Sequence, residues 1–355
     1  MGHGARRSRL TASFGAAGID ALYVSRLANV RYLSGFSGSN AHLLVTSADG
    51  CLLTDGRYTT QAEREAPDLR LVTYASDLPG VLAAAARSIG AERVGFEAAA
   101  RTVRGHADLS AAGMDLVPTR GLVEALRAFK DAGEIASIRT AQAATDAAFA
   151  DVVPTLAAGM TEQEVAFALE VAMRRSGADG LAFDTIVGFG PGAAEPHHRP
   201  ERRALARGDL VKMDFGAVID GYHSDMTRTV AFGAPPARAR DVYEVVRLAQ
   251  EAGVRAVRAG VTGGAVDEAA RSIIREAGLA DAFTHGLGHG VGLEIHELPA
   301  LRPADDGVLG VGQVVTVEPG VYLAGAFGVR IEDMVEVTQD GPRVMATTPK
   351  ELLVL

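Results

Sequence analysis

In the N-terminal part of the chain, short apolar runs (ALYVS, AHLLVT, CLLTD, LRLVTY, RVGFEA) alternate with longer mixed ones (RYTTQAEREA, LPGVLAAAARSIG, VRGHADLSAA). The first kind predicts strands and the second helices, and their alternation predicts an α/β domain with a mainly parallel or mixed sheet. From Ala132 the period changes to that of a long amphipathic helix, EIASIRTAQAATDAAFADVVPTL, with Ile135, Ile138 and Phe149 on its apolar stripe. That change places a boundary at residue 128 and divides the chain into 1–128 and 129–355. Within the second part, AGMTEQEVAFALEVAMRRSGADG from Ala158 is echoed by AGVTGGAVDEAARSIIREAGLAD from Ala259, an offset of 101 residues. Each copy reads as a helix opened by Thr and closed by Gly, and strand-like runs follow each. A helix-helix-strand unit occurring twice predicts a pseudo-twofold α+β domain with its site where the halves meet.

Those strand-like runs carry the candidate chemistry. Asp220-Gly221, between LVKMDFGAVI and YHSDMTRTVAF, is a residue pair suited to a two-residue hairpin turn. With the turn there, Asp214 faces Thr227 and Asp225 faces Gly216, which makes the two aspartates diagonal neighbours on one face. QVVTVEPGVYL and GVRIEDMVEV, joined around Gly325, place Glu318 opposite Glu332. His289, in GLGHGVGLEIHE, adds an imidazole. Singly, each is an ordinary turn or surface residue. Four carboxylates converging on one place, however, repel and resist desolvation unless cations neutralise them. With one imidazole, this oxygen-rich donor set suits two divalent cations and metal-activated water.

Composition narrows the field further. At 355 residues with 48 % apolar content, the chain is long enough for two domains and a large core. A net charge of −9, with no Lys/Arg stripe interleaved with aromatics, argues against nucleic acid as a partner. The single cysteine, Cys51, excludes an intramolecular disulfide, suits a reducing compartment and reads as a core strand residue in CLLTD. MGHGARRSRL is not followed by the apolar stretch of a secretory signal, and no run approaches a membrane span. The expectation is a cytoplasmic protein. GFGPG at 188–192 does not fit GxGxxG, so no dinucleotide site is expected.

In order and spacing, DFGAVIDGYHSDMTRTV, HGLGHGVGLEIHE, VEPGVY and GVRIEDMV, with PHHRP at 196–200, resemble the motifs of the pita-bread metallopeptidases. That family includes Xaa-Pro aminopeptidases (aminopeptidase P), Xaa-Pro dipeptidases (prolidases) and methionine aminopeptidases. NVRYLSGFSGSNAHLLVT and LLTDGRY are similar to the creatinase-like N-terminal domain of the first two, which methionine aminopeptidases generally lack. The resemblance implies a pita-bread catalytic domain at 129–355 behind a creatinase-like α/β domain at 1–128. It implies that Asp214 chelates one metal and His289 and Glu318 the other, with Asp225 and Glu332 bridging. Glu318 would also handle the proton of the attacking water. His197 and His296 would contact substrate and stabilise the tetrahedral intermediate, and Arg330 would orient ligand carboxylates through its fixed fork of donors. Two divalent ions are implied, with the ligands leaning to Mn²⁺ over Co²⁺ or Zn²⁺, together with a proline-containing peptide substrate and a homodimer.

The implied reaction is hydrolysis of an Xaa-Pro bond by a metal-bridging hydroxide. The GFSGSN and LLTDGRY segments lean toward an Xaa-Pro aminopeptidase, with the dipeptide-restricted prolidase as the alternative. A non-catalytic peptide-binding module and a creatinase-like hydrolase are the readings from other classes, and the complete ligand set argues against both. One departure stands out: GFGPGAAEP occupies the place where relatives commonly carry an Asn-Ser stretch, which bears on contacts at the substrate's edge. His198 and His285 are open as site residues, whereas His3, His42, His106 and His223 read as structural or solvated.

Overall fold

The computed structural model describes residues 2–355, which form two compact units, one ending at Arg127 and the other spanning Ala128–Leu355. Among the described residues of the first unit, six strands form one sheet: β1 (Ala21–Val24), β2 (His42–Thr46), β3 (Gly50–Thr54), β4 (Arg70–Thr73), β5 (Arg93–Glu97) and β6 (Asp115–Thr119). Their order is β4-β3-β2-β1-β5-β6. β2 runs antiparallel to both neighbours and the remaining pairs are parallel, so the sheet is mixed. Leu44, Leu53 and Val94 pack with Leu82 and Ala86 of the helix Leu78–Ser88. Cys51 belongs to this core, where burial pushes its thiol up to about 11. Several elements were not expected from the sequence, among them the helix His3–Thr11, the helix Leu27–Ser34, which takes in most of NVRYLSG, and β6, which forms the sheet edge.

In the second unit the long helix Ala132–Val152 opens on a capping box in which Asp131 and Glu134 satisfy each other's backbone donors. The echoed segments fold as helices Glu162–Arg175 and Gly263–Glu276, of 14 residues each. Thr161 and Thr262 cap them by accepting from the N–H three residues on. Gly177 and Gly278 follow them with φ of 96° and 72°. Strands β7 (Gly180–Leu181), β8 (Ile186–Phe189), β9 (Leu210–Phe215), β10 (Ala217–Ile219), β11 (Tyr222–His223) and β12 (Met226–Ala231) follow the first helix pair. After the second pair come β13 (Gly288–Gly290), β14 (Glu297–Leu301), β15 (Val314–Val317), β16 (Gly320–Leu323), β17 (Phe327–Arg330), β18 (Asp333–Thr338) and β19 (Gly341–Val344).

The sheets are β12-β9-β8 and β11-β10-β7 in the first half, and β14-β13-β15-β18-β19 and β16-β17 in the second. Each half has its own core. Val165, Leu169 and Met173 of one helix meet Val187, Met213 and Phe215. Val266, Ala270 and Ile274 of its counterpart belong with Val315, Val317 and Val335. Among the described residues no helix is long and apolar enough to cross a membrane.

Candidate metal centre

The first hairpin closes on Asp220-Gly221, with Ile219 paired to Tyr222 and φ of 51° and 77° at the two turn residues. A two-residue turn with both φ positive matches the right-handed twist of its strands. The same register runs on into β9 and β12, where Asp214 pairs with Thr227. The ladder is nevertheless not continuous, because β10 and β11 leave for a different sheet. It breaks at Gly216, where a Cβ would lie 1.9 Å from the carbonyl oxygen of Ser224. Asp225 follows directly, at the break. The second hairpin behaves alike. β16 and β17 pair around Gly325, β15 and β18 pair in the same register, and Glu318 and Glu332 fall opposite one another in the gap between the two ladders. Pro319 lies in that gap and has no N–H to contribute to a ladder.

Both breaks open onto one cavity of about 500 Å³, lined by Asp214, Asp225, His289, Glu318 and Glu332 together. Ligand-type atoms of Asp225, His289 and Glu332 lie within 4.8 Å of one another. His289 Nε2 is 3.4 Å from Glu318 Oε1 and 3.6 Å from Asp225 Oδ2. His197 and His296 line the same cavity from exposed positions. The His296 ring meets that of His289 edge-on, with centroids 4.3 Å apart.

Arg330, buried, reaches several groups at once. Nη2 donates to Asp214 Oδ2, Nε to the Thr227 hydroxyl at 2.9 Å, and Nη1 to the Tyr322 hydroxyl at 2.9 Å and the Pro196 carbonyl at 3.1 Å. Thr227 in turn donates to Glu332 Oε2 at 2.7 Å. One guanidinium thus orients Asp214 directly and Glu332 through a hydroxyl. Thr316 plays a matching part in the second half, accepting from the His289 N–H at 3.0 Å and donating to Glu318 at 3.3 Å.

Sequence reasoning did not single out Thr227, Thr316, Tyr322 or Lys212. The available signal was a polar residue inside an apolar strand run next to a candidate ligand. Of the two histidines left open, His198 is buried with its ring nitrogens on Glu162 at 2.8 Å and Glu195 at 3.0 Å. His285 holds the Tyr322 hydroxyl at 2.9 Å, and burial pulls its imidazole down to about 4. His223 is anchored on the Gly292 carbonyl.

The electrostatics of the cluster fit divalent cations. Burial, reinforced by Glu332 and Asp214, raises the Asp225 carboxyl well above the usual range; burial and Glu318 do the same to Glu332. Burial also takes Glu318 up to about 7 against the pull of Arg330. His289 is brought down to about 4, chiefly by burial, which keeps its imidazole in the neutral form that binds metals. Asp214 Oδ1 is buried with no hydrogen-bond partner, a state that costs free energy until something positive meets it. Carboxylates that resist their charge, a neutral imidazole and one bare oxygen make a donor set that cations would complete.

Comparison with known proteins agrees with this chemistry. Residues 136–339 match metallopeptidase family M24, and residues 6–129 match the creatinase/prolidase N-terminal domain. An Xaa-Pro dipeptidase of Pyrococcus furiosus is 34 % identical over 94 % of this chain and 95 % of its own. The structure of an Xaa-Pro dipeptidase from Bacillus anthracis superposes with a TM-score of 0.97 at 38 % identity over the whole of both chains. An X-Pro aminopeptidase from Thermotoga maritima gives 0.90 at 37 % identity, covering 97 % of this chain and 100 % of that one. The duplicated helix-helix-strand unit, with the cavity between its hairpins, is the pita-bread fold, and the chain belongs to metallopeptidase family M24, behind a creatinase/prolidase N-terminal domain.

Proposed function

We propose that the protein is an Xaa-Pro dipeptidase, a prolidase, using two divalent ions, most suitably Mn²⁺, held by Asp214, Asp225, His289, Glu318 and Glu332. The convergence of these five side chains on one cavity, with Asp214 Oδ1 left bare, carries the reading. Full-length relatives named as Xaa-Pro dipeptidases favour the dipeptide substrate over the aminopeptidase reading suggested by GFSGSN and LLTDGRY. The Thermotoga X-Pro aminopeptidase keeps that second reading in view.

Bound ions would lower the pKa of a water and polarise the scissile carbonyl. The chain's own side chains would do the rest. Glu318 accepts the proton of the attacking water and passes it to the leaving nitrogen. That transfer is essential, because the prolyl nitrogen has no hydrogen of its own. His197 and His296, exposed in the cavity wall, donate to the oxygen that becomes negative in the tetrahedral intermediate. Arg330 holds Asp214, and Thr227 holds Glu332, so both carboxylates enter the reaction already oriented. Phe183, Ile186 and Ile295 give the cavity an apolar wall for the substrate's side chains.

The test is hydrolysis of Xaa-Pro dipeptides and Xaa-Pro-Yaa tripeptides by protein stripped of metal and reloaded with Mn²⁺. Cleavage confined to the dipeptide is the expected result. Cleavage of the tripeptide would make the enzyme an aminopeptidase, and failure on both with two ions bound would overturn the substrate class.

A further inference from the structure

We propose that Lys212 is a positioning residue for His197, its ammonium tying the turn that carries that imidazole to the strand face that carries Asp214. Lys212 lies on β9 two residues before Asp214, so the two side chains leave the same face. It is fully buried. Its hydrogen bonds go to backbone: the carbonyl oxygen of Glu195, and that of Pro196 at 3.3 Å. The ring of Tyr322, 5.3 Å from the ammonium, forms another side of its surroundings. Burying an ammonium without a carboxylate bonded to it is costly, and an apolar side chain would fill the same space. What lysine adds here is a set of donors for those two carbonyls, which belong to the two residues immediately before His197.

The rest of the turn is built to be held in this way. Gly188 pairs with Lys212 across the ladder, and a Cβ on it would come within 2.7 Å of the Gly192 backbone. A Cβ on Gly328 would come within 2.1 Å of the Ala193 carbonyl oxygen. The segment Gly190–Ala194 therefore sits directly on strand backbone, and Lys212 and Arg330 both hold its continuation at Pro196. On the far side His198 is fixed by Glu162 and Glu195. His197 thus stands exposed between two anchored neighbours, and the backbone sets its aim.

The inference rests on the reading that His197 meets the substrate, and its test keeps the two apart. Manganese-loaded parent, K212M, H197A and the double variant are assayed on an Xaa-Pro dipeptide. K212M is expected to lower kcat about 10²-fold with a much smaller change in KM, as misaimed groups do. Its manganese content and thermal midpoint stay near the parent's, and amide hydrogen exchange accelerates only in the peptide spanning 192–199. In the H197A background the same substitution costs less than about threefold, because the group it positions is gone.

Equal losses in both backgrounds, or an unimpaired K212M beside an impaired H197A, overturn the proposal and leave the functional reading standing. A fully active H197A overturns the role given to His197 and the proposal with it. If the parent cleaves no Xaa-Pro peptide, the functional reading fails, and unchanged exchange at 192–199 in K212M would overturn Lys212's hold on the turn as well. Should K212M fail to fold, K212Q, which keeps N–H donors on a shorter arm, enters the same cycle with the same outcomes.

Discussion

Glu332 and Asp333 are chain neighbours, 2 % and 1 % exposed, and they meet opposite surroundings. Asp333 faces cations: Arg228 donates to it at 2.7 Å and Lys350 lies 3.1 Å away, with the Gln250 amide at 2.9 Å. Burial pushes its pKa up, but Arg228 and then Lys350 outweigh burial, and the group ends below the ordinary carboxylate value. Glu332, pointing the other way, receives one hydroxyl from Thr227 and faces Glu318 and Asp214, and its pKa ends well above the ordinary value. Where the protein intends a buried carboxylate to stay charged unaided, it supplies the countercharge. The candidate metal centre is marked by a shortage of countercharge, one guanidinium, Arg330, facing four carboxylates.

The sharpest way to break this comparison is the same Asp→Asn change on each side. Asp225→Asn is expected to abolish Xaa-Pro hydrolysis and deplete bound manganese, while the metal-free protein melts no lower than the parent because one repelled carboxylate has gone. Activity near the parent's in a metal-loaded sample would sink the assignment. Asp333→Asn should instead cost roughly 3–5 kcal/mol of stability in denaturant unfolding, since Arg228 is left buried without its partner. Thr227→Val removes the hydroxyl between Arg330 and Glu332 and should weaken manganese binding about 10- to 100-fold with the fold intact, read by titration against a chelator.

The smallest effect is one of pH. In metal-free protein burial pushes Glu318 up to about 7, from the 4.5 of a free glutamate. The folded state therefore holds a proton that the unfolded chain has released, and the stability this contributes is lost as pH rises through 7. His289, lowered to about 4 from 6.5, acts with the opposite sign over that interval, so the Glu318 contribution is read as the difference between the parent and Glu318→Gln. Between pH 4.5 and 7 the thermal midpoint of chelator-treated parent should fall relative to that of chelator-treated Glu318→Gln. A flat difference would mean that burial and its neighbours hold the Glu318 proton less than their geometry indicates.

Much of the site could be read from the chain because it hangs on turns. Asp220-Gly221 and Gly325 fix two registers, and a register fixes every facing pair along its ladder, which is how Asp214 came opposite Thr227 and Glu318 opposite Glu332. The capping threonines made the two matched helices visible in the same local way. The breaks in the ladders were not visible, because they arise where strands are shared between sheets. Nor was the supporting shell. Thr227, Thr316 and Lys212 look like other polar residues within strands, and their partners lie 105, 27 and 17 positions away along the chain. In the N-terminal unit, β6 and the helix Leu27–Ser34 were missed for a related reason, since sheet-edge pairing and tertiary burial outweigh their weak local patterns.

The duplicated helix-helix-strand unit divides the candidate ligands, Asp214 and Asp225 in one copy and His289, Glu318 and Glu332 in the other. Neither copy by itself holds all five candidate ligands. On the proposed ligand set, catalytic competence is a conjunction, present only when both halves have folded and docked. A nascent or partly unfolded chain would carry no working peptidase, and restored hydrolysis would report that the two halves have found each other.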